Sequence, residues 1–578
     1  MKLDLLLRNA EIITMDPDRP VAGSLGLWQG RIVGLDEDLD GLDAAQVLDL
    51  GGATVTPGFI DAHCHTTWFG LGLAELDVSG ARGLEELYEL LRGAVANPGT
   101  DGEGWLFSTG FSQTQHGGSF PDIAELDRIT GERPLFMRHN SGHMAVVNTA
   151  ALRLAGAESP SFPDPDGGAI VRDAAGHPTG LVQETAQELI QRLILPYSLE
   201  NIEAALERAT LYYASEGITS FTEAGVGGGW IGHSPAELAA YQSASANGRL
   251  HARAQVMPVL DVLHGLGGHA SDSAGAAPAG LDLGITSGFG NDYLSLGPAK
   301  VFLDGSLLGE TAAVSHEFCS HGHKDNRGNV GYFQADPAQL RERIEAAYAA
   351  GWSIAAHAIG DRAVDLAVDI ITDCQGVYGQ RRLPNRIEHA SMTRPEQLAR
   401  LADAGIAVTP QASFFREGGD GMTASLGPDR LPWAYRAASF LDAGVMLAGS
   451  SDRPVADGNV LRGMQAFVDR RTGSGAVFGN PAERLTPHQA LAAYTSGAAA
   501  ATGTLAEKGT LTPGKLADFA VLSDSPLTAP AISELQVLAT AVGGRFTYQS
   551  THFHAEPSSE SPYAARVSAS RVSATQSS

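Results

Sequence analysis

The sequence predicts an α/β protein built on a (β/α)8 barrel, with a small β domain assembled from both ends of the chain and a third domain inserted after the first barrel strand. Short apolar strands alternate with helical stretches through the middle of the 578 residues. Short apolar runs separated by turn residues fill positions 3–50 and return at 515–548, which indicates β structure at both ends. The stretch 81–204 interrupts the strand–helix rhythm.

The barrel is predicted from repeated strand–helix units. Strands that are apolar on both faces are typical of a parallel sheet, and about eight such units favour a closed barrel. Helices are predicted at 337–351 and 394–405, where apolar residues recur at helical spacing and the pattern ends at glycine. The first barrel strand is predicted at 53–63, and later strands are predicted at GITSFTEA, ARAQVMPV, LGPAKVFLDG, WSIAAHAIGD, NRIEHASM, GIAVTPQ and GVMLAGSSD.

These patterns give the predicted domain boundaries. The β domain is expected to combine 1–56 with 502–556, and the barrel to combine 57–80 with 205–501. Residues 81–204 are expected to form an α+β domain over the barrel mouth. The serine-rich stretch 557–578 has almost no large apolar residues and is expected to be a disordered tail.

Composition narrows the class of protein. The formal net charge of −27 argues against a nucleic-acid or membrane partner, because either needs a basic surface. Three cysteines at unrelated spacings support neither a disulfide framework nor a cysteine zinc module. No apolar run is long enough to span a bilayer, and no secretory signal is evident, so a cytoplasmic location is expected. A homodimer is left open.

The segment GFIDAHCH places His63 and His65 two residues apart on a predicted strand. Alternate side chains of a strand point to the same face, so the two histidines would point one way and Cys64 the other. Such a pair is half of a metal site only if other ligands exist elsewhere in the chain. Cys64 is expected to be a small packed apolar residue.

Four later strands end in further candidate ligands. Barrel enzymes carry their reactive groups at the C-terminal ends of the strands, where these side chains would meet. Lys300 is one of only five lysines and lies inside an apolar strand, where an unpaired ammonium is costly. The candidates are Lys300, His357, His389 and Asp452.

Together, GFIDAHCH, the strand lysine, HAIGDRA, RIEHA and SDRPV resemble the amidohydrolase superfamily of metal-dependent hydrolases. The sequence is most similar to the YtcJ-like branch, which includes N-substituted formamide deformylases. LTPHQALAAYTSGAAAATG and GTLTPGKLADFAVLSDSPL resemble the last barrel helix and the returning β domain of that family. The resemblance extends from residue 3 to about residue 550 and implies a distorted (β/α)8 barrel with a β-sandwich built from both termini.

The resemblance also implies a ligand set for two divalent cations. His63 and His65 would bind the more buried metal, and His357 and His389 the more exposed one. Lys300 would be carboxylated by carbon dioxide and bridge the two metals, while Asp452 would ligate the buried metal. Imidazole and carboxylate ligands favour Zn²⁺, and they also allow manganese or iron.

The function implied is hydrolysis of a C–N bond in a small amide, an N-substituted formamide or other N-acyl compound, by metal-activated hydroxide. Asp452 would act first as base and then as acid, because an amine leaves poorly without a proton. Two alternatives stay open. One keeps the site but opens a cyclic amide or deaminates its substrate, and the other is a catalytically silent metal-binding relative.

Further residues are weaker candidates. His143, in the inserted domain, is a catalytic candidate for contact with the substrate carbonyl. A second His-x-His at 321–324 is interpreted as an exposed loop. Substrate contact or support of the site is predicted for Glu184, Glu223 and Asp304.

Overall fold

The computed structural model of the chain describes residues 1–97, 104–139, 144–165, 168–228, 231–269, 276–319, 328–553 and 556–557. The chain forms two compact units. The first combines Met1–Thr67 with the residues from Leu206 onward, and the second is Trp68–Ala205. The boundaries predicted at 81 and 204 both fall within the second unit. No helix among the described residues is long and apolar enough to cross a membrane.

The secondary structure alternates between short strands and helices. The strands before residue 65 are β1 Lys2–Arg8, β2 Glu11–Ile13, β3 Val21–Ala22, β4 Leu25–Trp28, β5 Arg31–Leu35, β6 Asp43–Asp49, β7 Thr54–Pro57 and β8 Phe59–Cys64. The second unit contributes β9 Leu76–Asp77, β10 Leu106–Phe111, β11 Leu135–His139, β12 Met144–Val147, β13 Gly168–Arg172 and β14 Pro178–Glu184. The strands that follow are β15 Ile218–Val226, β16 Arg253–Pro258, β17 His264–Gly267, β18 Ala276–Gly280, β19 Leu294–Leu296, β20 Ala299–Phe302, β21 Ile354–Ala358, β22 Arg386–His389 and β23 Ala407–Thr409. The last strands are β24 Phe519–Leu522, β25 Val537–Val542, β26 Arg545–Gln549 and β27 Glu556–Pro557.

The α-helices of the described residues occupy both units. They are α1 Thr66–Gly72, α2 Leu84–Ala96, α3 Ile123–Thr130, α4 Thr149–Leu154, α5 Glu188–Ile194, α6 Leu199–Ser215, α7 Glu237–Ala246, α8 Pro337–Ala349, α9 Asp361–Tyr378, α10 Pro395–Asp403, α11 Ala412–Leu426, α12 Ala437–Asp442, α13 Val460–Asp469, α14 Pro487–Ala493 and α15 Ser496–Ala501. The helices predicted at 337–351 and 394–405 are α8 and α10. Helix α8 begins where the sequence indicates, because the Asp336 side chain accepts a hydrogen bond from the Ala338 N–H and Pro337 fills the first turn.

Parallel strands of the first unit form a TIM-barrel-type arrangement. One sheet has the order β19–β16–β15–β8 and another the order β20–β21–β22–β23. A parallel bridge between Val259 and Lys300 links the β16 end of the first sheet to β20. At the other end, Leu447 bridges Val408 of β23, and the Gly449 carbonyl accepts a hydrogen bond from the Ala62 N–H on β8.

Two predicted strands differ in the structure. The segment predicted as one strand at 53–63 is divided at Gly58 into β7 and β8, which belong to different sheets. The segment 444–452 carries one bridge residue, Leu447, and no regular strand. An apolar pattern reveals neither where a chain passes from one sheet to another nor how many residues of a segment pair with a neighbouring strand.

Strands from both ends of the chain share a sheet. β24 pairs antiparallel with β7, with Val521 opposite Val55, and the six-stranded order is β26–β25–β24–β7–β2–β3. A second sheet has the order β27–β6–β1–β4–β5. Leucines of β1 and β4 pack in one buried apolar cluster with Phe519 and Val521 of β24. Pro557, predicted as the first residue of the tail, pairs with Leu48 in this second sheet, whereas 558–578 lie outside the described residues.

The second unit is built on one mixed sheet in the order β13–β14–β12–β11–β10–β9. Neighbouring residues of β11 enter different apolar clusters, Met137 with residues of α2 and α3, and Phe136 with residues of α4 and α5. Adjacent side chains of a strand point to opposite faces, so this sheet is covered by helices on both sides.

A buried ion pair ties the barrel strand β16 to the residue before β24. Arg253 Nε lies 2.7 Å from Asp518 Oδ2, and Arg253 Nη2 lies 2.9 Å from Asp518 Oδ1. Both side chains are almost completely buried. Asp518→Ala is expected to lower the free energy of unfolding by about 3–5 kcal/mol, because it leaves a guanidinium buried without its partner. Urea denaturation followed by circular dichroism measures the loss.

The matched control is Asp261→Ala, which removes the partner of Arg343 in an exposed ion pair. Exposed pairs contribute about 0–1 kcal/mol, so the urea midpoint of this variant should stay close to that of the unmodified protein. Equal midpoints for the two variants would contradict a stabilising role of the buried pair.

Candidate metal centre

His63 and His65 lie at the C-terminal end of β8. His63 is the fifth residue of the strand, and His65 follows its last residue, Cys64. Cys64 is completely buried, and its Sγ lies 3.3 Å from Thr66 Oγ1 and 3.6 Å from the Thr222 carbonyl oxygen. Burial raises the pKa of the Cys64 thiol well above its ordinary value. Cys64 is therefore held as a neutral thiol and does not offer the thiolate that a metal binds.

The structure brings Asp452 to both histidines of β8. Asp452 Oδ1 lies 3.2 Å from His63 Nε2 and 3.0 Å from His65 Nε2. The loop that carries Asp452 is fixed to β8, because the Asp452 N–H donates to the His63 carbonyl oxygen over 2.7 Å. One ligand atom each of His63, His389 and Asp452 lies within 4.8 Å of the others, and all three residues are buried.

The remaining candidates lie on neighbouring parallel strands. The ring of His389, at the end of β22, lies 4.9 Å from the ring of His63 and 4.5 Å from that of His357 on β21. Lys300 on β20 is buried, and its Nζ lies 4.8 Å from the centre of the Phe302 ring. Lys300 is close enough for its charge to influence the pKa of both His357 and His389.

The protonation states of the cluster suit a cation. Burial lowers the pKa of His389 to about 3 and the pKa of His357 well below its ordinary value. Burial alone would raise the pKa of the Asp452 carboxyl, but its contacts with His63 and His65 hold that pKa well below its ordinary value. Near neutral pH His357 and His389 are therefore neutral imidazoles and Asp452 is a carboxylate, which are the forms that ligate metals.

Three buried polar atoms of the cluster lack a hydrogen-bond partner among the described residues: His63 Nε2, Lys300 Nζ and Asp452 Oδ1. The 3.2 Å approach of His63 Nε2 to Asp452 Oδ1 does not have hydrogen-bond geometry. Leaving a buried polar atom unsatisfied costs about 1–3 kcal/mol, more for a charged group. Two of these atoms, His63 Nε2 and Asp452 Oδ1, can offer lone pairs and lie 3.2 Å apart, which fits a divalent cation.

Protein groups hold the opposite nitrogen of three histidines. The Glu388 carboxylate binds His63 Nδ1, Gln411 Oε1 lies 2.7 Å from His389 Nδ1, and the Gly305 carbonyl oxygen lies 3.1 Å from His357 Nε2. These contacts leave Nε2 of His63, Nε2 of His389 and Nδ1 of His357 for a ligand. Such hydrogen bonds fix the ring orientation and tautomer of a metal-binding histidine.

Glu388 is itself held by a buried network. Arg386 donates from Nε to Glu388 Oε1 and from Nη2 to Oε2, both over 2.8 Å, and Thr409 Oγ1 donates to Oε2 over 2.9 Å. Burial opposes ionisation, yet Arg386 and His63 hold the pKa of Glu388 well below its ordinary value. Glu388 is therefore a carboxylate, and its contact with Nδ1 fixes the orientation of the His63 ring.

The sequence pattern does not reveal the role of Gln411. Gln411 follows β23 and belongs to no recognisable motif. Glu388 precedes His389 in the sequence, but the histidine that it contacts is His63 on β8. The position of Gln411 just after a predicted barrel strand could have identified it, because polar residues there lie at the end of the barrel that carries the reactive groups.

Glu388→Gln is expected to weaken metal binding by about 10–100-fold, because the amide cannot hold His63 Nδ1 as the carboxylate does. Titration of metal-free protein with Zn²⁺ measures the dissociation constant. The matched control is Glu483→Gln, another buried glutamate, which instead contacts Arg436 and Ser439. An unchanged dissociation constant in Glu388→Gln would contradict this role.

Two candidate ligands have left-handed backbone conformations. His389 has φ 74° and Asp452 has φ 58°. Non-glycine residues in this region cost on the order of 1–3 kcal/mol each and cluster at functional sites. The surrounding contacts, including the hydrogen bond from Asp452 N–H to His63, hold Asp452 in this conformation.

Glu223 supports the loop after β8. Its Oε2 accepts hydrogen bonds from the N–H groups of Thr66 (2.8 Å) and Thr67 (3.2 Å) and from the Tyr241 hydroxyl, and its Oε1 lies 3.8 Å from His65 Nδ1. Burial raises the pKa of Glu223 to about 8. The contacts favour support of this loop over contact with a substrate, which stays a prediction.

Asp304 is similarly engaged by the backbone. Its carboxylate accepts hydrogen bonds from the N–H groups of Ala313, Ile359 and Gly360, and Oδ1 lies 3.6 Å from His357 Nε2. Burial raises the pKa of Asp304 to about 7. These contacts favour support of the loops around His357, and substrate contact by Asp304 likewise stays a prediction.

The other predicted site residues are not placed. His143 and the His-x-His at 321–324 lie outside the described residues. Glu184 is the last residue of β14, and its side chain is not described.

Comparison with known proteins agrees with this fold and identifies its family. The family model described as "Amidohydrolase family" matches residues 46–548. The N-substituted formamide deformylase of Arthrobacter pascens is 30% identical over 572 residues, which are 95% of this chain and 99% of that protein. YtcJ of Bacillus subtilis is 30% identical over 518 residues, with 88% and 92% covered. A crystal structure of an uncharacterized metal-dependent hydrolase from Pyrococcus horikoshii aligns with a TM-score of 0.74 at 25% identity and covers 92% of this chain and 99% of that one.

The fold and the cluster define a metal-dependent hydrolase. The chain belongs to the amidohydrolase family, and the predicted resemblance is confirmed. It is an enzyme of the class that acts on carbon–nitrogen bonds.

Proposed function

We propose that the enzyme hydrolyses the C–N bond of a small N-acyl compound, with an N-substituted formamide as the leading substrate class. The observation that carries the proposal is the convergence of His63, His389 and Asp452, whose ligand atoms lie within 4.8 Å of one another in a buried cluster. The deformylase from Arthrobacter pascens, similar over nearly its whole length, supports the choice of formamides.

Two divalent cations, with Zn²⁺ as the first choice, are proposed to bind the six residues named from the sequence. His63, His65 and Asp452 would hold one ion, and His357 and His389 the other. When bound, such ions polarise an amide carbonyl and lower the pKa of water towards about 7. We propose that a closed barrel holds these ligands. Its eight segments would be β8, β15, β16, β20–β23 and 446–449, and the pairings around β8 and β20 support this closure.

Lys300 is proposed to carry a carbamate that bridges the two ions. Burial lowers the pKa of Lys300 to about 8, so more of its amine is neutral near neutral pH than in an ordinary lysine, and the neutral amine can add to carbon dioxide. The addition forms an N–C bond and releases a proton, so an anion replaces an ammonium that has no hydrogen-bond partner within the described part of the chain. An unmodified ammonium could not be a ligand, since it has no lone pair.

Asp452 is proposed to move the proton in catalysis. Its low pKa keeps it as a carboxylate that can accept the proton of the attacking water. It then returns that proton to the amide nitrogen, so that the amine leaves in its neutral form.

Release of amine from a panel of formamides, acetamides and cyclic amides tests the proposal, with the metal content of the purified protein measured alongside. Formamides should be turned over fastest. Chelation should abolish the activity and Zn²⁺ should restore it, because the buried donors cannot activate water alone. Full activity of metal-free protein, or no amine from any amide by the Zn²⁺-loaded enzyme, would contradict the proposal.

A further inference from the structure

Four rings follow one another across the metal centre. The Phe302 ring lies 5.1 Å from the His357 ring, which lies 4.5 Å from the His389 ring. The Phe414 ring stacks on the His389 ring, with ring centres 6.1 Å apart and planes 15° from parallel. The two inner rings are proposed ligands of the more exposed ion, so the phenylalanines flank that half of the site.

The flanking rings come from different elements. Phe302 is the last residue of β20, and Phe414 lies in the first turn of α11, the helix that follows β23. Both phenylalanines are partly exposed, whereas His389 between them and Phe415 beside Phe414 are buried. A partly exposed aromatic ring gains about 25 cal/mol for each Å² of apolar surface that a ligand covers.

The cations around the histidines are already engaged. Arg386 is paired with Glu388, and Arg453, next to Asp452, is paired with Glu216 over 2.7 Å. Lys300 is assigned to the carbamate. These three residues offer no free cation to a substrate carboxylate, so a carboxylate could be neutralised only at the proposed metal ions, where it would compete with the amide carbonyl.

We propose that Phe302 and Phe414 are specificity residues that select amides with an uncharged, apolar substituent on the nitrogen or acyl carbon. An amide whose carbonyl reached an ion held by His357 and His389 would bring its substituents within reach of these two rings. There, a flat apolar group covers exposed phenylalanine surface and stacks favourably. The inference rests on the amide hydrolase activity proposed above and names its substrate class.

The test compares three formamides with the same acyl group on the Zn²⁺-loaded enzyme. They are N-(2-phenylethyl)formamide, N-(2-carboxyethyl)formamide and N-methylformamide. We expect kcat/KM for the phenylethyl compound to exceed that for the carboxyethyl compound by about 100-fold or more, the discrimination expected when one substituent stacks and the other is neutralised only by competing with the carbonyl for the metal ions.

Variants assign the preference to the rings. Phe414→Ala should lower kcat/KM for the phenylethyl compound by about 10–100-fold and for N-methylformamide by less than about 3-fold, since only the larger substrate covers the ring. Phe414→Leu should retain most of the preference, and Phe302→Ala should resemble Phe414→Ala. Phe289→Ala is the matched control, because Phe289 is 60% exposed and lies before β19, outside the elements β20, β21, β22 and α11 that carry the four rings. Metal content is measured for every variant.

The outcomes separate this inference from the proposed function. Equal kcat/KM for the phenylethyl and carboxyethyl compounds would overturn the inference and leave the amide hydrolase proposal intact. An equal loss on all three substrates in Phe414→Ala would also overturn it, since Phe414 would then act only by supporting His389. Absence of amine release from every amide tested would overturn the proposed function and this inference with it.

Discussion

Asp452→Asn is expected to lower kcat by about 10²–10⁴-fold, the range that general acid–base catalysis contributes. Asparagine has nearly the same shape and keeps an oxygen beside His63 and His65. It cannot accept the proton of water or return a proton to the leaving nitrogen. Turnover of the best formamide, measured together with zinc content, should therefore show retained metal and lost catalysis.

Asp457→Asn is the matched control for this substitution. Asp457 follows in the same segment of chain, and its Oδ2 accepts a hydrogen bond from Arg462 Nη1 over 2.8 Å. Its loss should leave kcat close to that of the unmodified enzyme. Wild-type turnover in Asp452→Asn would contradict the proposed proton transfer, whatever the metal content.

Lys300→Ala is expected to reduce bound zinc from two ions to one or fewer and to lower kcat by about 10³-fold or more, on the scale of losing a major electrostatic contribution. The reason is that the proposed carbamate would supply an anionic ligand to both ions, which alanine removes. Elemental analysis gives the metal content, and ¹³C NMR of protein equilibrated with labelled bicarbonate detects the carbamate carbon directly.

Lys508→Ala is the matched control for the lysine. Burial also lowers the pKa of Lys508 to about 8, but its Nζ donates to Ser220 Oγ over 2.7 Å instead of lying beside the histidines. Two zinc ions retained in Lys300→Ala, or a carbamate signal that persists in it, would contradict the bridge.

Much of the metal centre could be predicted from the sequence because its signals are local. The two-residue repeat of a strand puts His63 and His65 on one side and Cys64 on the other, and Lys300 stands out as a lysine within an apolar strand. Lys300 and His357 lie near the C-terminal ends of β20 and β21, and His389 is the last residue of β22. Strand–helix repeats bring such strand ends together at one end of a barrel.

Local pattern does not fix how strands pair. The register of β21 and β22 places His357 opposite Glu388, and Ala358 opposite His389, so the two histidines meet diagonally. The division of 53–63 into two strands depends likewise on pairing with β24, more than 400 residues along the chain.

The sequence by itself determined the class of fold, the family and the residue types proposed for the metal centre. Only the tertiary structure decided which atoms meet: Asp452 with both histidines of β8, Glu388 with His63, and Gln411 with His389. It also decided that the Glu223 and Asp304 carboxylates accept hydrogen bonds from backbone N–H groups. The physical reason is that hydrogen bonds and metal ligation act over about 3 Å between residues far apart in the chain, so they depend on register and loop paths that no local periodicity encodes.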